Sequence, residues 1–103
     1  MVRIKKQTVE NPDEMLLNFT KEDFLLLLRN KLAVDEELIS DEDLLSQDMK
    51  SLSVDSLDYV ETIMEVEMGI GRRIPAEKVE EFECFNDVWD YVHTQQENLK
   101  KLQ

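Results

Sequence analysis

The stretch 51-SLSVDSLDYVETIMEVEMGIGRRIP-75 decides how this chain folds. From Ser56 to about Met68 it has no glycine or proline, and both glycines of the protein, Gly69 and Gly71, follow at once. That is a helix with its stop signal attached. At 100° per residue, Leu57, Val60, Ile63, Met64 and Met68 fall on one broad face, predicted to pack. Asp58, Glu61 and Glu65 form an acidic ridge beside it. Glu67 points toward the apolar side and is expected to reach water near the helix end. Arg72 and Arg73, the one adjacent arginine pair, suit a helix C-terminus.

The remaining segments read in the same way. Asn11, Pro12 and Glu14 stand where a cap, a first helical residue and a capping partner belong. Thr20 and Asp23 predict a second start, with Phe19 and Phe24 as a hydrophobic staple, and a helix to about Leu32. Four consecutive leucines, Leu25 to Leu28, predict cover on more than one side. From Ala33 to Leu52 the chain is acidic and irregular, with Ser40 placed to cap a short turn. Leu38, Ile39, Leu44, Leu45, Met49 and Leu52 are its expected anchors. Pro75 opens a short helix, and Asn86 is the expected cap of a last one. That last helix has Val88, Trp89, Tyr91 and Val92 inward and fades into a polar tail.

With 103 residues and 42% hydrophobic content, the chain can bury one modest core. Two glycines and two prolines are too few for the recurrent turns of a sandwich or barrel. The expected fold is all-α: a four-helix bundle with a long loop between the first and second main helices and a short third helix. Residues 1–10 read as a flexible arm, 11–95 as a single domain and 96–103 as a polar tail.

A net charge of −12 disfavours nucleic acid and anionic membrane and favours a partner with a basic patch. There is no calcium-loop motif. One cysteine, Cys84, leaves no disulfide framework, and with His93 it supports no metal site. Cys84 reads as a small buried hydrophobe and His93 as a surface residue. No apolar region follows the basic N-terminus and no apolar run would span a bilayer. A cytoplasmic monomer is expected.

Ser56 is the residue of interest. As a nucleophile it lacks a base and an oxyanion site, and Asp55 and Asp58 oppose an alkoxide. No catalytic residue is assigned. On residue type alone, three readings stand: a helix cap, a phosphorylation site, or a serine modified by another enzyme that docks on the acids. A phosphate at a helix start meets free amides and the positive end of the dipole.

Asp55-Ser56-Leu57, the acidic helix after it, Ile74-Pro75 and Tyr91-Val92 together resemble the acyl carrier protein family, without gaps from about Leu52 to Val92. The segment 25-LLLLRNKLAV-34 is similar to that fold's first helix. The resemblance implies 4'-phosphopantetheine on Ser56, delivered from coenzyme A by a phosphopantetheinyl transferase. Acyl intermediates of fatty-acid or related lipid biosynthesis would then be held as thioesters. It places Asp55, Asp58 and Glu61 against basic patches of acyl-processing enzymes, and the helical wheel adds Glu65. It implies an acyl pocket of Val60, Met64, Val66, Ile74 and Phe82. Two other readings use the same fold: a carrier of polyketide or aminoacyl units, and a binding module without the arm. The chain departs from the family's acid-Leu-Gly with Ser51-Leu52-Ser53, and has Met68 and Arg72-Arg73 where acids or neutral residues are usual. These departures point to a specialised member.

Overall fold

The computed structural model describes residues 11–102; the arm expected over residues 1–10 lies outside them. Within them are six helices: α1 (Pro12–Asn18), α2 (Lys21–Leu32), α3 (Asp41–Ser46), α4 (Ser56–Ile70), α5 (Ala76–Glu81) and α6 (Phe85–Lys101). The long helices α2, α4 and α6 build the bundle. Helix α1 packs on α4 and α6, α2 on α4, and α3 on α6.

Local chemistry sets most of the starts. Asn11 accepts from the Glu14 amide at 2.9 Å, ahead of Pro12. Thr20 and Asp23 form a reciprocal capping box, each bond 3.0 Å. The Phe19 and Phe24 rings meet edge-on at 6.4 Å, which anchors the entry to α2. Ser40 caps α3 through the Asp43 amide. The last helix starts at Phe85 with Cys84, not Asn86, in the cap position. There the Asp87 carboxylate reaches back to the Glu83 and Cys84 amides at 2.8 and 3.4 Å. The Asp87 side chain thus makes the reach-back half of a capping box, while the Asp87 amide bonds to the Cys84 carbonyl at 3.0 Å.

The core gathers Leu16, Phe24, Leu28, Leu44, Val66, Ile70, Phe85, Val88 and Val92, all at or near zero exposure. Of the four leucines, Leu28 is buried, Leu25 and Leu27 are partly buried, and Leu26 faces solvent. The acidic connection is tied down along its length. Arg29 of α2 donates to the Ile39 carbonyl and pairs with Asp41 at 2.6 Å. The Met49 amide donates to the Glu83 carbonyl, beside a bridge between Asp48 and Cys84. Leu44 and Leu45 are its buried anchors and Ile39, Met49 and Leu52 its partly buried ones; Leu38, expected among them, is exposed.

Helix α6 continues to Lys101 instead of fading after Val92. Gln96 explains the continuation. Its side-chain amide is buried and donates to the carbonyls of Leu16 and Phe19 at 2.8 and 2.7 Å, at the end of α1. The Leu16 carbonyl already accepts from the Phe19 amide at 3.3 Å, so Gln96 is a second donor there, and it also serves the Phe19 carbonyl just past the helix end. Leu99 packs against the core one turn further on.

Candidate functional site

The approach to Ser56 is a run of turns. The Leu52, Ser53 and Val54 amides bond back to Asp48, Lys50 and Met49 carbonyls at 3.0–3.2 Å, and the Ser51 amide bonds to the Asp48 side chain. Ser53 takes a left-handed conformation, φ +62°. A glycine adopts that conformation without strain, and a side chain opposes it. Helix α4 then begins, capped by Asp55, whose carboxylate accepts from the Asp58 amide at 2.9 Å.

Asp55 therefore does the capping, and Ser56 is the first helical residue. It is exposed, and its hydroxyl has no partner among the described residues. The amides of Ser56 and Leu57, in the first turn of α4, also have none among the described residues. With no base bonded to it, the hydroxyl is not an activated nucleophile. It is open to an enzyme that brings its own base, and the free amides suit a phosphate on its oxygen. His93, the only histidine, lies on α6 against Trp89 and Glu97.

The acids of α4 differ in their freedom. Asp55 and Glu65 are exposed, Asp58 and Glu61 half-buried. Glu61 pairs with Lys31 of α2 at 2.9 Å, and its hydrogen bond raises the Lys31 pKa. Glu67 does not escape to water. Its side chain is only 16% exposed and accepts from the Ile74 amide at 2.8 Å. It braces the loop that carries Ile74 and Pro75, which an apolar-side position next to a turning backbone makes favourable.

The packed face of α4 differs from the expected one. Tyr59, Thr62, Ile63, Val66 and Ile70 face the core. Of the stripe assigned to the interior, only Ile63 is buried. Leu57, Val60, Met64 and Met68 are 65%, 48%, 54% and 65% exposed. Two apolar stripes lie on opposite sides of this helix, and α1 and α2 cover the other one. The five expected pocket residues accordingly separate. Val60 and Met64 floor an open groove of about 730 Å³ with Glu67, Met68, Gly71, Arg72 and Arg73. Val66 and Ile74 are in the core. Phe82 packs on Tyr91 and lines a different concavity, of about 380 Å³, with Met49 and Lys50.

Tyr59 was not singled out by the sequence, which offers no local pattern for it. Its hydroxyl donates to the Val79 carbonyl and so ties α4 to α5. Burial first, and the charge of Asp87 second, push its pKa up to about 12.

Among known proteins the chain is similar to the acyl carrier protein of Treponema denticola, 36% identical over 70 residues. That match covers 68% of this chain and 86% of the relative. The acyl carrier protein of Clostridium perfringens is 38% identical over 71 residues, 67% of this chain and 90% of the relative. The acyl carrier protein of Syntrophobacter fumaroxidans is 36% identical over 66 residues, 64% and 78% of the two chains. No protein-family model matches the chain, and neither does any solved structure.

Proposed function

The chain belongs to the acyl carrier protein family, and from that premise we propose that Ser56 is the attachment site of its 4'-phosphopantetheine arm. As a family member it is a non-catalytic carrier for fatty-acid biosynthesis. The observation that carries the assignment of Ser56 is the division of labour at the start of α4. Asp55 takes the cap, so capping does not account for the serine, and its hydroxyl stands exposed and unpartnered among the described residues.

The arm's thiol supplies thioester chemistry. Everything else this chain does is presentation. On transfer the Ser56 oxygen would bond to phosphorus as the pyrophosphate P–O bond of coenzyme A breaks, adenosine 3',5'-bisphosphate would leave, and the transferase would take the serine proton. The Ser56 and Leu57 amides and the positive end of the α4 dipole then face the phosphodiester charge. Asp55, Asp58, Glu61 and Glu65 meet basic patches of the transferase and of acyl-processing enzymes. The acyl chain shelters within the bundle near Val66 and Ile74; Val60 and Met64, on the outer groove of α4, and Phe82, in a separate concavity, do not join them. The carrier works in the cytoplasm as a monomer. The polyketide, aminoacyl and arm-less readings are not favoured by relatives that are all named acyl carrier protein.

Intact-mass analysis tests the attachment. Incubated with coenzyme A and a phosphopantetheinyl transferase, the chain should gain one phosphopantetheine, and Ser56→Ala should gain none. An unmodified native chain, or a gain that survives Ser56→Ala, refutes the assignment.

A further inference from the structure

Along its outer face α4 is polarised from end to end. Asp55 and Asp58 stand at the Ser56 end. Leu57, Val60, Met64 and Met68 run down the middle, all substantially exposed. Arg72 and Arg73 close the far end and rim the groove that Val60, Met64 and Met68 floor. The two arginines are held differently. Arg72 is anchored by Asp13 at 3.0 Å and the Pro12 carbonyl. Arg73 is 92% exposed, with only Glu67 at 3.8 Å beside it. The acids midway are partly spent: Glu61 is tied to Lys31 and Glu67 to the Ile74 amide. In a chain of net charge −12, this end of the face presents an exposed guanidinium, Arg73, while the carboxylate nearest it, Glu67, is mostly buried.

We infer that the Met68–Arg73 end of α4 selects the partner enzyme, accepting a docking face that is basic opposite Asp58 but carries a carboxylate opposite Arg73. Asp58 and Ile70 lie twelve positions apart on the helix, about 18 Å at 1.5 Å per residue. The partner's cation and carboxylate therefore stand about 20 Å apart, with apolar side chains between them to fill the Val60–Met64–Met68 groove. A face that is basic along its whole length meets Arg73 with like charge. That mismatch costs rate, because charge complementarity governs encounter and register, and a repulsive contact discriminates as well as an attractive one. The inference rests on the carrier role proposed above and names the kind of partner that role requires.

The test uses the full chain and a malonyl-CoA:carrier transferase whose docking patch is basic throughout. Pantetheine loading of wild type, Arg73→Glu and Met68→Glu is read first by intact mass. Malonyl transfer to each loaded carrier then follows, at low and moderate salt. Arg73→Glu is expected to raise kcat/KM about three- to tenfold through KM, and Met68→Glu less, with both effects shrinking as salt rises. Changing the transferase cation opposite Arg73 to Glu should improve transfer to wild type and impair it with Arg73→Glu, the coupling a direct pair predicts. Variants indistinguishable from wild type, slower transfer with Arg73→Glu, or no coupling in that cycle overturns the inference and leaves the carrier role intact. A wild-type chain that takes no pantetheine overturns both. Light scattering covers the remaining occupant: a concentration-dependent dimer that Arg73→Glu dissolves assigns this face to a second copy and overturns the inference.

Discussion

Two residues beside the proposed attachment site hold conformations or protons that make them measurable. Ser53 sits at φ +62° two residues before Asp55, where a side chain is strained and a glycine is not. Ser53→Gly is therefore expected to stabilise the fold by about 1 kcal/mol, a rise of roughly 4–8 °C in Tm for a domain of this size. A lower melting temperature would mean that the turn depends on the serine side chain. Tyr59 makes a pH prediction. Its pKa is raised in the folded state to about 12 from an ordinary value near 10. The folded state thus keeps a proton that the unfolded chain gives up first. Its contribution is fully present below about pH 10 and is lost as pH climbs toward 12. Denaturant midpoints measured from pH 8 to 12 should fall over that window, and less steeply in Tyr59→Phe. Equal slopes would place the lost proton elsewhere. The caps at Asn11, Thr20 and Ser40 could be read in advance because each needs only a residue and an amide three positions away. Neither Ser53 nor Tyr59 carries such a local signature. One depends on a backbone angle, the other on a carbonyl twenty residues downstream.

Elements differ in how far their sequence determines them. Helix α4 has the clearest pattern and still misdirects, because it is apolar on two sides. With Tyr59 as the reference direction, Ile63, Val66 and Ile70 lie within about 40° of it, while Leu57, Met64 and Met68 lie roughly 140–180° away. Both stripes satisfy helical periodicity. Which one is buried depends on where α1 and α2 arrive, and that is a tertiary fact. Gly69 records the arrival: a Cβ there would come within 2.8 Å of the Phe19 ring. The last helix failed to be read for the opposite reason. Past Val92 it looks polar, yet Gln96 is polar because the site it fills is polar. Its amide serves two carbonyls at the end of α1. Gln96→Leu should cost about 1–3 kcal/mol by leaving the Phe19 carbonyl unpaired and stripping the Leu16 carbonyl of its second donor, and amide exchange in α1 should accelerate with it. If α1 exchanges as before, the two helices are held by packing alone.

At the scale of the whole molecule, charge is the property to test. Twenty-four acids against twelve bases leave −12 on a chain of 103 residues. Among the described residues the ion pairs that offset this are mostly exposed. Lys78–Glu81 at 3.9 Å and Lys100–Glu97 at 3.6 Å are long surface contacts, each worth between nothing and about 1 kcal/mol, and His93, 3.8 Å from Glu97, joins them only when protonated. Arg29–Asp41 and Lys31–Glu61 are closer and join separate elements, so screening would weaken them too. Salt therefore has two opposed effects, and the balance follows from range. At about 0.01 M the Debye length is about 30 Å, so every acid in the domain repels the others; at 0.15 M it is about 8 Å, and only neighbours interact. Repulsion is shared among a dozen excess charges and acts over the longer distance. The pairs are contacts, which screening reduces least. Repulsion should lose more, and sodium chloride raised from 0.01 to 0.2 M should lift the melting temperature by several degrees, each 1 kcal/mol corresponding to roughly 4–8 °C. Lys31→Gln gives the internal control. It removes the cation that neutralises Glu61 on the outer face of α4, so its melting temperature should fall most at low salt and converge toward wild type as salt rises. A wild-type melting temperature that does not respond, or that falls, would mean that the close pairs outweigh the net charge.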